Sequence, residues 1–318
     1  MTESTKFFFV TDVHGSDVCF RKFLNAAKFY KANVLILGGD ITGKTMIPVV
    51  DNGRGTYECN FAGEDLVLKS KDQVETLMKE MRDSGVYTVI MGKAEFDELN
   101  AHPEIASRVF NELMLESVRK WLALAEERLK GTKTKCYISP GNDDISEIDD
   151  VLNSSSVVIN PERRVLTIDD KHEMITLGVV NHTPWHSPRE VDESVLQSMI
   201  EEMANSLEKP ENSIFNIHVP PISTPIDQAP KVTPDLKPVV NAGHLVMTSA
   251  GSVATRAMIE KYQPLVGLHG HIHESKGLVR IGRTVCFNPG SEYGEGVLRG
   301  VVGQLEDGKL KSYLLTSG

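Results

Sequence analysis

Five short stretches of this chain carry the side chains that bind borderline and hard metal ions. They are Asp12-Val13-His14, Gly39-Asp40, Gly141-Asn142-Asp143, His218 and Gly270-His271-Ile272-His273. Neutral imidazoles and carboxylates bind Zn, Fe or Mn, and an amide oxygen can complete the coordination sphere. Residues two apart, such as Asp12 and His14 or His271 and His273, point to the same side of an extended chain and can reach one site. Two aspartates, one asparagine and four histidines exceed the needs of a single tetrahedral ion. They suit two ions that share a bridging ligand. A single Asp or His after a strand is usually a cap or a satisfied polar group. Crowding all of them into one crevice without a partner would be costly, which favours a joint role. His269 is the exception, read as packing or support for the site.

Each stretch follows a short apolar run of the kind that forms a buried strand: Phe7–Val10, Asn33–Leu37, Cys136–Ile138, Ile214–Ile217 and Val266–His269. Ligand sites of open α/β sheets lie at the carboxyl ends of strands, so these ends can converge on one crevice. The second stretch overlaps a rival motif. Gly38-Gly39-Asp40-Ile41-Thr42-Gly43-Lys44-Thr45 satisfies the phosphate-binding loop spacing GxxxxGK[ST]. That motif needs a helix beginning at its Lys-Thr. Met46-Ile47-Pro48-Val49-Val50 is strand-like and broken by proline instead, and Asp40 would set a carboxylate inside the cradle.

In order and in residue type the stretches resemble the calcineurin-like metallophosphoesterase superfamily, whose blocks run D-x-H, GD, GN-H-[DE], H and G-H-x-H. Here they extend over residues 12–273, and the Asn288-Pro289-Gly290-Ser291 turn that often follows is present. The resemblance implies that Asp12, His14, Asp40 and His273 hold one metal. It implies that Asp40, Asn142, His218 and His271 hold the other, with Asp40 bridging. It also implies a four-layer α-β-β-α sandwich and two divalent ions, with Mn, Fe, Zn and Ni all suitable. The reaction so implied is phosphoester hydrolysis by in-line attack of a metal-bridging hydroxide. One block departs from the family: the histidine that usually follows Asn is replaced by Asp143. An ionised carboxylate repels a phosphate, whereas a protonated one could donate to it. Asn142 and Asp143 are therefore catalytic candidates, with His186, in the polar loop Asn181–Ser187, as the alternative proton donor. A diesterase is preferred to a monoesterase, because diesters need less help from an acid. The rival reading is a non-catalytic metal-binding scaffold for protein interactions.

The elements that must position these residues read as α/β, with short apolar strands separated by helices. Phe20, Phe23, Leu24 and Ala27 form the stripe of a first helix. Residues 44–133 read as a mostly helical insertion within a single 1–318 domain. It opens with a hairpin around Asp51–Gly55 and continues through a helix capped by Ser70 and Gln73 and a long one from Pro103 to Lys130. Ser187-Pro188-Arg189-Glu190 is predicted to open a helix reaching Leu207. The acidic run Asp143–Asp150 is predicted to be a solvated helix start.

Composition closes off other classes. A chain of 318 residues with 40% hydrophobic and 25% charged residues is ordinary globular sequence, neither fibrous nor wholly disordered. Its formal charge of −10 argues against extended nucleic-acid binding, which needs a basic surface. A small phosphoester remains compatible where metal ions supply local positive charge. No apolar run is long enough for a membrane span. The first residues lack a signal-peptide pattern, so a cytoplasmic protein with reduced, scattered cysteines is expected. Homodimerisation is left open.

Overall fold

A computed structural model describes residues 4–318. The run Phe7–Val10 lies within the strand Thr5–Val10, which has no exposed residue and so needs both faces covered. It pairs in parallel with Val34–Gly38 and antiparallel with Arg299–Glu306. Lys135–Ser139 extends the parallel set from Val34–Gly38. With Val158–Ile159 and Lys309–Ser317 these make a six-stranded sheet. A second six-stranded sheet runs Gly277–Ile281, Thr284–Asn288, Val266–Leu268, Ile214–Ile217, His172–Leu177, Val165–Asp169. In it Val266–Leu268, Ile214–Ile217 and His172–Leu177 are mutually parallel.

Strand alternation sorts the apolar residues into distinct cores. Phe8, Val10, Leu35 and Leu37 pack with Phe20, Phe23 and Leu24 of the helix Asp17–Phe29, and with Val118, Trp121 and Leu122 of the helix Pro103–Leu129. The opposite face of the sheet, Phe7, Phe9, Ile36 and Tyr137, packs with Ile214, Val266, Leu268 and Phe287 of the second sheet. The far side of the second sheet packs Phe215 and Ile217 with Leu196 and Ile200 of the helix Glu193–Ala204, and with Met258 and Ile259 of the helix Val253–Tyr262. The architecture is mixed α/β. Among the described residues no helix is long and apolar enough to cross a membrane.

Residues 44–133 contain more strand than periodicity suggests. Glu64–Leu68, Tyr57–Phe61, Thr45–Asp51 and Val86–Gly92 form a four-stranded sheet, with Thr45–Asp51 parallel to Val86–Gly92. The hairpin does pair Val50 with Glu58 and Asp51 with Tyr57. The Ser70 cap holds, since Gln73 N–H donates to Ser70 Oγ at 3.3 Å and the helix Lys71–Asp83 follows.

Two helix expectations fail. Ser187–Glu190 opens no helix: Glu190–Val191 pairs with Val180–Asn181, and the helix begins at Glu193 after Asp192. Glu190 instead accepts from the backbone N–H and hydroxyl of both Thr183 and Ser187, closing a loop that competes with the cap. The acidic run is not a solvated helix start throughout either. The helix starts at Ile148, and Asp144 is fully buried.

Candidate metal centre

The parallel strands of both sheets release their chains at one end, and the five blocks meet there. Asp12 follows Thr5–Val10, Asp40 follows Val34–Gly38, Asn142 follows Lys135–Ser139, His218 follows Ile214–Ile217, and His271 follows Val266–Leu268. Four residues of these blocks hold a left-handed backbone, with φ of 53° at Asp12, 38° at His14, 50° at Asp40 and 67° at His271. Such conformations cost energy in non-glycine residues and persist where the surroundings enforce them. Gly141 permits a close approach, since a Cβ there would lie 2.2 Å from the Asp40 backbone nitrogen.

Possible ligand atoms of Asp12, His14 and His273 all lie within 4.8 Å of one another, as do those of Asp40, His218 and His271. The groups abut. Asp40 Oδ2 is 3.6 Å from His14 Nε2 and 3.5 Å from His218 Nε2. Asn142 Oδ1 lies 2.7 Å from His271 Nδ1. Asp12, His14, Asp40, Asn142 and His218 are each at most 4% exposed.

The donor set fits a cation. His14 Nδ1 donates to Thr42 O at 3.2 Å and His218 Nδ1 donates to Gly38 O at 3.0 Å, because a carbonyl can only accept. Each ring therefore turns Nε2 toward the carboxylates, the arrangement that orients metal-binding histidines. His218 Nε2 is buried without a hydrogen-bond partner, and His14 Nε2 faces His273 Nε2 at 3.0 Å.

The electrostatics ask for positive charge at the same place. Burial works against a charged His218, but the Asp40 and Asp12 carboxylates outweigh it and lift the imidazole to about 9. Burial likewise opposes ionisation of Asp40, yet His218 and then His14 hold its carboxyl well below the usual range. Burial dominates at His14 and His271, which fall to about 3 and about 4 and stay neutral, as ligands must.

Supporting bonds tie the crevice together. His271 N–H donates to both Asp12 oxygens at 3.1 Å, and Ser291 Oγ donates to Asp12 O at 2.6 Å. Asn288 Nδ2 donates to Gly270 O and Ile272 O, which explains the Asn288–Ser291 turn. His269 is fully buried, with Nδ1 donating to Ile217 O, and stands in neither ligand group.

Around the position that lacks a histidine, two residues emerge that motif reading passed over. Asp143 Oδ2 lies 2.6 Å from Lys44 Nζ, and Asp143 N–H donates to Asp40 Oδ1 at 2.9 Å. Burial and the Asp40 charge raise the Asp143 carboxyl to about 6, against the pull of Lys44. Lys44 was visible only as part of the phosphate-loop spacing. Asp144 accepts from the backbone of Ile41, Thr42 and Gly141 and from the Thr42 hydroxyl, clamping the Asp40 loop to the Asn142 loop. His186 has an exposed side chain and a φ of 52°. Its neighbour Ser187 is the residue that reaches the site, accepting from Asn142 Nδ2 at 2.9 Å. His182 is exposed and pairs with Glu190 and Asp192.

No family model matches the sequence. An uncharacterized protein of Methanocaldococcus jannaschii is 30% identical over 152 residues, a match that spans 47% of this chain and 61% of that protein. The chain therefore covers less than two thirds of that relative. One solved structure is 16% identical over 99% of each chain with a TM-score of 0.57. The TT1561 protein of Thermus thermophilus is 12% identical over 99% of each chain with a TM-score of 0.52. These two share the fold. A dimetal phosphatase from Danio rerio aligns more loosely, at 8% identity over 98% of each chain and a TM-score of 0.46. In this chain the five ordered stretches meet at one crevice.

Proposed function

We propose that this chain is a dinuclear-metal-dependent phosphoester hydrolase of the calcineurin-like superfamily, with diesters preferred to monoesters. One observation carries the reading: two ligand groups, one containing Asp12, His14 and His273 and the other Asp40, His218 and His271, abut at Asp40 in a buried crevice. Asp12, His14, Asp40 and His273 would hold one ion, and Asp40, Asn142, His218 and His271 the other. Their mixed nitrogen and oxygen donors suit Mn, Fe, Zn or Ni. The three apolar cores support reading the two sheets and their flanking helices as the four-layer α-β-β-α sandwich.

When bound, two divalent cations would supply Lewis-acid charge for the phosphoryl oxygens and would lower the pKa of a water beside them. The protein's own groups account for the rest. The Thr42 and Gly38 carbonyls hold His14 and His218 with Nε2 inward. Two carboxylates only half offset two dications, so the loaded crevice attracts an anion although the chain as a whole is acidic. Substrate enters where burial is least, beside Lys44, Asp143 and His273, whose side chains are 45%, 24% and 26% exposed.

The test is hydrolysis of an activated aryl phosphodiester and the matching monoester with added Mn, alongside metal analysis and an Asp40→Asn control. Two bound ions and chelator-sensitive turnover, faster on the diester, are expected. Bound metal without any turnover would favour the interaction scaffold, and full activity in Asp40→Asn would overturn the proposal.

A further inference from the structure

The geometry points to Lys44, held by Asp143, as a fixed cation that contacts the non-bridging oxygens of the bound phosphoryl group. This inference rests on the two-metal reading above and adds a named substrate contact to it. In the related motif a histidine follows Asn, and here a carboxylate takes that place. Asp143 alone would repel the substrate. Its two oxygens are both engaged, Oδ2 by Lys44 Nζ at 2.6 Å and Oδ1 by Asn142 Nδ2 at 2.9 Å. The carboxylate thus serves as an anchor, and the group it carries at the mouth is an ammonium with hydrogens to spare.

The backbone beneath Lys44 is built to hold that position. Gly43 N–H donates to Tyr87 Oη at 2.9 Å, and a Cβ on Gly43 would meet Gly85 O at 2.3 Å. Thr42, one residue earlier, is clamped by Asp144 through its backbone N–H and hydroxyl. The Thr45–Asp51 strand, locked in register with Val86–Gly92, begins immediately after Lys44. Only the side chain remains free to face solvent. At the other end Asp143 is tied through its backbone N–H to Asp40, the carboxylate proposed to bridge the ions. The ammonium is therefore set next to the metal positions by contacts at both ends. A lysine charge is compact and persistent, so it binds oxygens as a point charge and hands over no proton to the leaving group.

The test uses metal-loaded full-length protein, orthophosphate as the probe and titration calorimetry as the readout, with metal content measured on each sample. Lys44→Ala and Lys44→Gln should both weaken orthophosphate binding about ten- to a hundredfold while keeping the metal content of the parent. The double variant Lys44→Ala with Asp143→Asn should not recover. Turnover should fall by the same factor for aryl esters with good and with poor leaving groups. Unchanged affinity in the single variants overturns the inference. So does full recovery in the double variant, which would make Lys44 only a neutraliser of Asp143. If the parent protein itself holds no ions and binds no orthophosphate, the two-metal reading falls and takes this inference with it.

Discussion

The first sheet brings Asp12, His14, Asp40 and Asn142 to the crevice, together with Asp143 and Lys44, whereas the second brings only imidazoles, His218, His271 and His273. One side is thus rich in carboxylate and the other in nitrogen donors. Neither side is a site alone. The Asp12 and Asp40 carboxylates raise each other's cost of burial, and the imidazoles of the opposite sheet relieve it. Two of the bonds that cross the divide, His218 Nδ1 to Gly38 O and His271 N to Asp12, join backbone of one sheet to side chains of the other. The centre is therefore a product of sheet stacking, and Phe7, Phe9, Ile214 and Phe287 between the sheets are part of its scaffold.

The sharpest way to break this division of labour is Asp40→Asn, because that carboxylate stands against His14 and His218 together. Replacing a residue that supports a metal ligand already costs about 10–100-fold, so loss of the shared ligand should lower phosphoesterase activity by more than about a hundredfold. Steady-state rates with saturating Mn measure it, and activity near that of the parent would contradict the bridging role. Next in size, His218→Ala removes a proposed ligand from the second sheet only. Metal analysis should then fall from about two ions per chain to about one, the group Asp12, His14 and His273 keeping its ion. Loss of both ions would show that the two groups are not separable, and loss of neither that His218 is not a required ligand.

A smaller effect tests the periphery of the first sheet. Glu162 is a buried carboxyl that accepts Gly178 N–H at 2.8 Å while Oε1 lacks a partner. Burial pushes it up to about 8 from a usual 4.5. The folded state therefore keeps the proton while the unfolded chain releases it above about pH 4.5. Stability is thus lost progressively as pH rises to about 8. Glu162→Gln removes that dependence, and its advantage in denaturant melts should grow from near zero at pH 4.5 to on the order of 2 kcal/mol at pH 8.5. A flat difference across that range would refute the assignment. The smallest change is expected for His186→Ala. An exposed substitution shifts free energy by about 0.5 kcal/mol, or about twofold in rate. A much larger loss confined to esters with poor leaving groups would instead identify His186 as the proton donor.

Much of the fold was legible because it was local. Pro103 sits at the first position of its helix as its ring geometry favours, and Ser70 caps the helix that follows it. The strands before the ligand blocks showed as continuous apolar runs because both of their faces are covered. Ser187–Glu190 misled, since a capping sequence specifies which bonds are available and cannot say that Glu190 will close a loop instead. Asp144 looked like one more acid in a solvated run, and only the neighbouring Asp40 loop makes it a buried clamp. Lys44 was placed inside a rival motif, and its link to Asp143 crosses about a hundred residues of chain.

Residue type and order along the chain were enough to nominate Asp12, His14, Asp40, Asn142, His218, His271 and His273, because donor chemistry and strand-end position are both local properties. Tertiary structure alone decided which of these atoms face one another, which ring nitrogen each histidine presents, and that Asp143, in the place of the absent histidine, is paired with Lys44. Those outcomes depend on distances between segments far apart in sequence, set by how two twisted sheets pack and by which buried polar groups find partners there.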